Sequence, residues 1–257
     1  MRPRPPIRWL LPLLVALAAC QTVPYTKRSH LVLVSEGEET ALGESSYKEA
    51  LSKAKVSTDA EASAMVRRVG ERIAAAADKP DFKWEFNLID DPKTINAWCL
   101  PGGKVAVYSG ILPVTKDENG LAVVMGHEIA HALARHGGER MSQGLLAQLG
   151  GAALGAAMAS KPQETQALAQ QAYGVGATVG VLLPFSRAQE SEADRIGLIL
   201  MAKAGYDPGP AVDFWRRMAA ASGAGGGPEF LRTHPADDKR IAEIQERLPE
   251  ARGYLKK

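Results

Sequence analysis

Hydrophobic and polar positions along the chain fall into blocks of different period. From Glu38 to Ala54 and from Asp59 to Ala77 apolar residues recur at helical spacing, the second block placing Ala62, Val66, Val69 and Ile73 on one face. From Phe82 the period drops to two. Trp84, Phe86 and Leu88 alternate with Glu85 and Asn87, the pattern of a half-buried strand. The stretch "INAWCLPGGKVAVYSG" then gives two extended pieces around Pro101, Gly102 and Gly103, which predicts a hairpin or bent ribbon. Its residues Val105 and Val107 either pack in the core or line an edge that pairs with an extended substrate peptide. Cys99, inside the ribbon, reads as a small buried apolar residue.

Helical period returns between Lys116 and Arg140, where Leu121, Val124, Met125, Ile129 and Leu133 share a face. Met141 to Ser160 carries no charge over twenty residues and is rich in Ala and Gly. Such residues transfer weakly to lipid, so close helix packing is expected rather than a membrane span. "QALAQQAYGVGATVGVLLPFS" continues the pattern, and both stretches are expected to form a mobile cover over a cleft. A helix from Ser186 to Ala204 stops at Gly205, and another from Pro210 to Ala221 contains Phe214 and Trp215. "SGAGGGP" reads as a flexible loop, and the closing helix, Pro235 to Leu248, follows "THP", with Thr233 or His234 as its expected cap. No internal repeat is visible.

With 257 residues and 46% apolar content, the chain is long enough for one compact domain with short appendages. The N-terminus stands apart. Arg2, Arg4 and Arg8 precede the eleven-residue uncharged run "WLLPLLVALAA", too short for the roughly twenty residues of a membrane-crossing helix, which marks a secretory signal. "LAAC", Leu17 to Cys20, resembles a bacterial lipobox, which implies lipidation of Cys20. With Gln21 next, that resemblance implies sorting to the outer membrane, facing the periplasm. The expected division is a signal at 1–19, a lipid-anchored tether at 20–36 and a catalytic domain at 37–257. Only Cys99 then remains, so no intrachain disulfide is expected. Removing three arginines from 31 basic side chains leaves 28 against 29 acidic ones, and nucleic-acid binding loses its electrostatic basis.

Three of the five histidines lie in "MGHEIAHALARHGGER". His127, Glu128 and His131 make HExxH. On a helix, positions i and i+4 share a face, so both imidazoles can reach one zinc ion while Glu128 stands ready to take a proton from a metal-bound water. The pattern needs a third ligand. His136 does not fit the extended HExxHxxGxxH motif, because Ala134 and Gly137 stand where glycine and histidine are required. It also lies about 140° further round a continuous helix than His131, so it reads as structural or helix-end. The better candidate lies in "SRAQESEADRIG". Glu190 and Asp194 share a face, whereas Glu192 points roughly 160° away from Glu190. Glu190 becomes the third ligand; Asp194 either accepts the free N–H of a ligand histidine or acts as a second carboxylate in the reaction. Gly197 lets this helix approach the first closely. Arg187 and Arg195 either pair with these acids or are solvated, and His30 has no expected role.

HEIAH followed by ARH, then SRxxExEADxxG, together with "INAWCLPGGKVAVYSGIL", resembles the HtpX and CAAX-prenyl-protease family of zinc metallopeptidases from roughly Glu38 to Leu248. The membrane-spanning helices of HtpX are missing. The chain is more similar to the periplasmic lipoprotein branch, which includes LoiP and the protease domain of BepA. The resemblance implies a mostly helical α+β, zincin-like domain with a small β element beside the zinc helix. It assigns one zinc ion to His127, His131 and Glu190, the general base to Glu128, and a second catalytic or supporting acid to Asp194. His234, in "RTHPADD", matches a THP segment of the periplasmic members and is expected either as a reversible fourth ligand or oxyanion stabiliser, or as a plain cap. The implied activity is endoproteolysis of unfolded or misassembled envelope proteins. A zinc-binding chaperone or adaptor lipoprotein is the alternative, which the intact Glu128 disfavours.

Overall fold

The computed structural model describes residues 20–177, 186–221 and 227–255. The expected signal at 1–19 lies outside them, as do residues 178–185 of the second uncharged stretch and most of the "SGAGGGP" loop. The chain forms two compact units, one of residues 1–35 with 137–183 and the other of residues 36–136 with 184–257.

In the first unit, strands β1 (Cys20–Thr22) and β2 (Ser29–Leu31) pair antiparallel, Cys20 opposite Leu31, in the segment read from sequence as a tether. The Arg28 guanidinium donates to both oxygens of Glu139 at 2.8 Å, and Leu33 N–H donates to Ser142 Oγ at 2.8 Å. His30, without an expected role, is buried, with its Nδ1 3.3 Å from Glu139. Helices α5 (His136–Met158) and α6 (Gln163–Ala177) form an antiparallel pair in which Gly150 and Gly151 make room for Tyr173, whose hydroxyl donates to the Ala147 carbonyl at 2.6 Å. Among the described residues no helix is long and apolar enough to cross a membrane.

The second unit is built around helix α4 (Glu118–Leu133), every residue of which from Gly120 to Leu133 is buried. Asp117 caps it by accepting from Gly120 N–H at 2.9 Å. Leu121, Val124, Met125 and Ile129 are wholly buried. Each such side chain contributes about 1.5–3 kcal/mol, which makes this helix the organising element of the core. Helices α1 (Glu36–Lys53) and α2 (Ala60–Ala77) match the first two predicted blocks, and α2 packs on α4 through its predicted face of Val66, Val69 and Ile73. Helix α7 (Arg187–Lys203) crosses α4 where two glycines meet. A Cβ on Gly126 would lie 2.9 Å from the Gly197 carbonyl oxygen, and one on Gly197 only 2.8 Å from the His127 nitrogen. Helices α8 (Ala211–Ala220) and α10 (Asp238–Arg252) pack together and close the side occupied by Trp215; a short α3 (Leu112–Thr115) and α9 (Glu229–Thr233) complete the set.

Strand β3 (Glu85–Ile89) runs parallel to β5 (Lys104–Tyr108), and β4 (Ala97–Leu100) pairs antiparallel on the other side of β5. The hairpin between β4 and β5 turns at Gly102 and Gly103, both at positive φ near 85°. This order corrects the expectation that Val105 and Val107 line a substrate-binding edge. They lie on the central strand, hydrogen-bonded on both sides and wholly buried, and β4 carries the edge instead.

The predicted long helix Lys116–Arg140 is also corrected. It ends at Leu133, Arg135 adopts a left-handed conformation at φ 53°, and a new helix starts at His136. That conformation costs a non-glycine residue roughly 1–2 kcal/mol. The Arg135 guanidinium offsets it by donating to Glu39 at 3.1 and 2.8 Å.

Candidate metal centre and active site

One turn of α4 separates His127 from His131, and their ring centroids lie 4.7 Å apart. Glu190 comes from the first turn of α7, which starts with a capping box between Ser186 and Gln189. His234 comes from the end of α9, its ring against Phe230 at 4.7 Å between centroids. One donor atom from each of these four buried residues lies within 4.8 Å of all the others. The His127 and His131 Nε2 atoms are 3.1 Å apart, and Glu190 oxygens stand 3.3 Å from His131 and 3.5 Å from His127. Zinc ligands arranged tetrahedrally at about 2.0–2.1 Å are separated by about 3.3–3.4 Å, so these three residues fit such an ion. His234 Nδ1, 2.9 Å from Glu190 Oε1 and 3.2 Å from His127 Nε2, occupies the fourth corner. It does not cap the last helix: Asp237 is the cap of α10, accepting from Arg240 N–H at 2.9 Å, and His234 instead ends α9, its backbone N–H donating to the Phe230 carbonyl.

Glu128 is 4% exposed, and its Oε1 makes no hydrogen bond. That oxygen lies 3.5 Å from His234 Nε2, while the Cys99 backbone N–H donates to the same carboxylate group. Burial pushes the Glu128 carboxyl above its ordinary range, and His234 and His127 pull it back only in part. Burial drives His131 well below the usual histidine range, which keeps it neutral as a ligand must be. For His127, burial is outweighed by the carboxylates of Asp194 and Glu190, which raise it to about 9. Burial would also protonate Glu190, but its hydrogen bonds to His127, His131 and His234 hold it far below the carboxylate range. Asp194, likewise buried, is held at about 2 by Arg240 and His127.

Asp194 does not face the cluster. Its Oδ1 accepts from His127 Nδ1 at 3.0 Å, on the side of the ring away from the donors, and both its oxygens accept from Arg240 at 2.7 and 2.9 Å. Of its two expected roles, this geometry matches the acceptor of the free N–H of His127 and not a second carboxylate in the reaction. Arg240 is the residue that sequence reasoning missed most completely: 7% exposed, it also lies 2.9 Å from Glu190 Oε2, donates to the Pro235 carbonyl at 2.9 Å, and stacks 3.7 Å above the Trp215 ring. Burial works against its charge, and the Asp194 and Glu190 carboxylates more than restore it. His136, read as structural or helix-end, and Glu192, read as pointing away from Glu190, are both buried; His136 begins α5 and stands directly behind His131. Arg187 and Arg195 pair with Asp237 and Glu250 rather than with the site acids. A cavity of about 330 Å³ adjoins the cluster, lined in part by Ala188, Glu190, Ser191, Pro235 and Arg240.

A mostly helical domain with two histidines one turn apart, a glutamate from a second helix and a buried carboxylate beside them is the architecture of a zincin-like metallopeptidase. The chain belongs to Peptidase family M48, whose model matches residues 60–248, and carries the domain of a metalloendopeptidase. It is 40% identical over 237 residues to the mitochondrial metalloendopeptidase OMA1 of Schizosaccharomyces pombe, covering 89% of this chain and 66% of that protein. The human mitochondrial metalloendopeptidase OMA1 is 32% identical over 242 residues, covering 89% of this chain and 46% of the relative. A putative beta-barrel assembly-enhancing protease of Vibrio cholerae is 35% identical over 196 residues, covering 74% and 39%. The chain thus spans less than two thirds of the length of these relatives. The relatives also overturn the expected outer-membrane location facing the periplasm, because those matching 89% of this chain are named mitochondrial.

Proposed function

We propose that the chain is a zinc-dependent endopeptidase whose resting site is closed by His234. The observation that carries this reading is the unbonded, buried Glu128 oxygen beside three donors at zinc-ligand spacing. The chemistry supplied by zinc when held by His127, His131 and Glu190 is polarisation of a scissile carbonyl and activation of water. Glu128 takes a proton from the attacking water and returns it to the nitrogen of the leaving amine as the C–N bond breaks. Its raised affinity for protons suits both halves of that task. Asp194 holds the proton on His127 Nδ1, which leaves Nε2 as the donor.

The substrate is an extended peptide added to the outer edge of β4. In support, β4 has one sheet neighbour among the described residues, and the Cys99 N–H turns from that neighbour toward Glu128. Unfolded or misassembled proteins of the membrane to which the enzyme is attached are the proposed substrate class. Attachment through a lipid on Cys20 belongs to the same proposal, supported by the leader pattern.

Catalytic zinc requires an open position for water, and His234 in its observed place leaves none. Withdrawal of the segment bearing His234 therefore opens the enzyme. Cleavage of casein by the purified full chain, with zinc content measured alongside, tests both parts. Glu128→Gln is expected to keep zinc and lose roughly 10²–10⁴-fold in rate. Equal cleavage with zinc retained sinks the peptidase reading. His234→Ala is expected to cleave faster than the unmodified chain, and unchanged or slower cleavage rejects latency.

A further inference from the structure

We infer that His136 and Glu192 are positioning residues for the ligand His131, joined to it as a two-step proton-bonded relay. The inference rests on the reading of His131 as a metal ligand. Its Nε2 faces His127 and Glu190, so Nε2 supplies the lone pair and the ring proton resides on Nδ1. That N–H needs an acceptor. His136 Nδ1 lies 2.9 Å away, and two nitrogens at this distance share one proton, so His136 Nδ1 is the acceptor. The proton of His136 is thereby assigned to Nε2, which lies 3.0 Å from Glu192 Oε2. A single pattern satisfies both contacts: His131 Nδ1–H to His136 Nδ1, and His136 Nε2–H to Glu192.

The backbone is shaped to deliver this contact. On an unbroken helix His136 would point about 140° away from His131. The left-handed Arg135 breaks the helix between them and turns His136 back, and the ion pair from Arg135 to Glu39 holds the break in place. His136 is fully buried and Glu192 is 6% exposed, so neither is a solvated polar residue that happens to lie nearby. Ligand histidines ordinarily donate to a carboxylate, a backbone carbonyl or water. Here an imidazole is interposed, and the carboxylate acts on the metal site from one ring further out.

Zinc affinity of the full chain purified in detergent, measured by competition with a chromophoric chelator, tests the inference. His136→Leu removes the acceptor and is expected to weaken zinc binding about 10–100-fold. His136→Asn keeps an acceptor oxygen near the place of Nδ1 and is expected to recover most of that loss. Leu within twofold of the unmodified chain, or Asn no better than Leu, overturns the relay. His131→Ala is the separate control: if it binds zinc as tightly as the unmodified chain, the ligand reading itself fails. Nitrogen-15 spectra of the zinc-loaded, unmodified chain read the proton positions without any variant. Protons on His131 Nδ1 and His136 Nε2 are expected, and any other tautomer pair overturns the relay.

Discussion

The two ligand histidines of α4 are supported in opposite ways. Behind His127 stands a carboxylate in direct contact, Asp194, locked by both arms of a buried arginine that itself lies flat on Trp215. Behind His131 stands a second imidazole, with the carboxylate of Glu192 one ring further out. The supporting acids both come from α7, two residues apart, and on a helix they face apart. They serve one site because α4 breaks after its last ligand and sends His136 round to meet Glu192. The difference teaches that on the His127 side the acid touches the ligand and is compensated by a buried cation, whereas on the His131 side an imidazole stands between ligand and acid.

The largest expected effect follows from that charge. Arg240→Met leaves Asp194 and Glu190 buried without their cation, and removing one partner of a buried pair typically costs about 3–5 kcal/mol. Urea unfolding of the metal-free protein measures it; a loss below about 1 kcal/mol would break the view of the His127 side as charge-dominated. The next effect compares the acids directly. Asp194→Asn touches its ligand and is expected to weaken zinc about 10–100-fold, with Glu192→Gln, acting through a ring, weakening it less. If chelator competition finds Glu192→Gln equal or worse, the contrast between the two sides is lost. The smallest concerns packing. Gly197→Ala drives a methyl against the His127 backbone and is expected to cost about 1–3 kcal/mol by thermal unfolding. A neutral result would show that the helices can part without harm.

Much of the His127 side was legible in the sequence. HExxH on an apolar-periodic helix, the i, i+4 pair Glu190 and Asp194, and Gly197 at the crossing all follow from helical geometry alone. The His131 side was not, because the angle assigned to His136 assumed an unbroken helix and nothing in "LARHGG" announces a left-handed arginine. Arg240 sits in "ADDKRIAEIQER", where one more charge among many gives no sign of burial. The misplaced edge has a different origin. Period-two alternation finds a strand but not its neighbours, and only the parallel partner β3 puts Val105 and Val107 in the middle. The run "VAV", apolar on both faces, was the available signal of a central strand.

The glycine crossing of α4 and α7 carries a last consequence, for the tolerance of the chain to change. Where Gly126 and Gly197 meet, backbone rests on backbone, so the separation between the two ligand-bearing helices is set without any intervening side chain. A side chain at either position would part the helices, so the spacing between the histidines and Glu190 depends on both positions staying glycine.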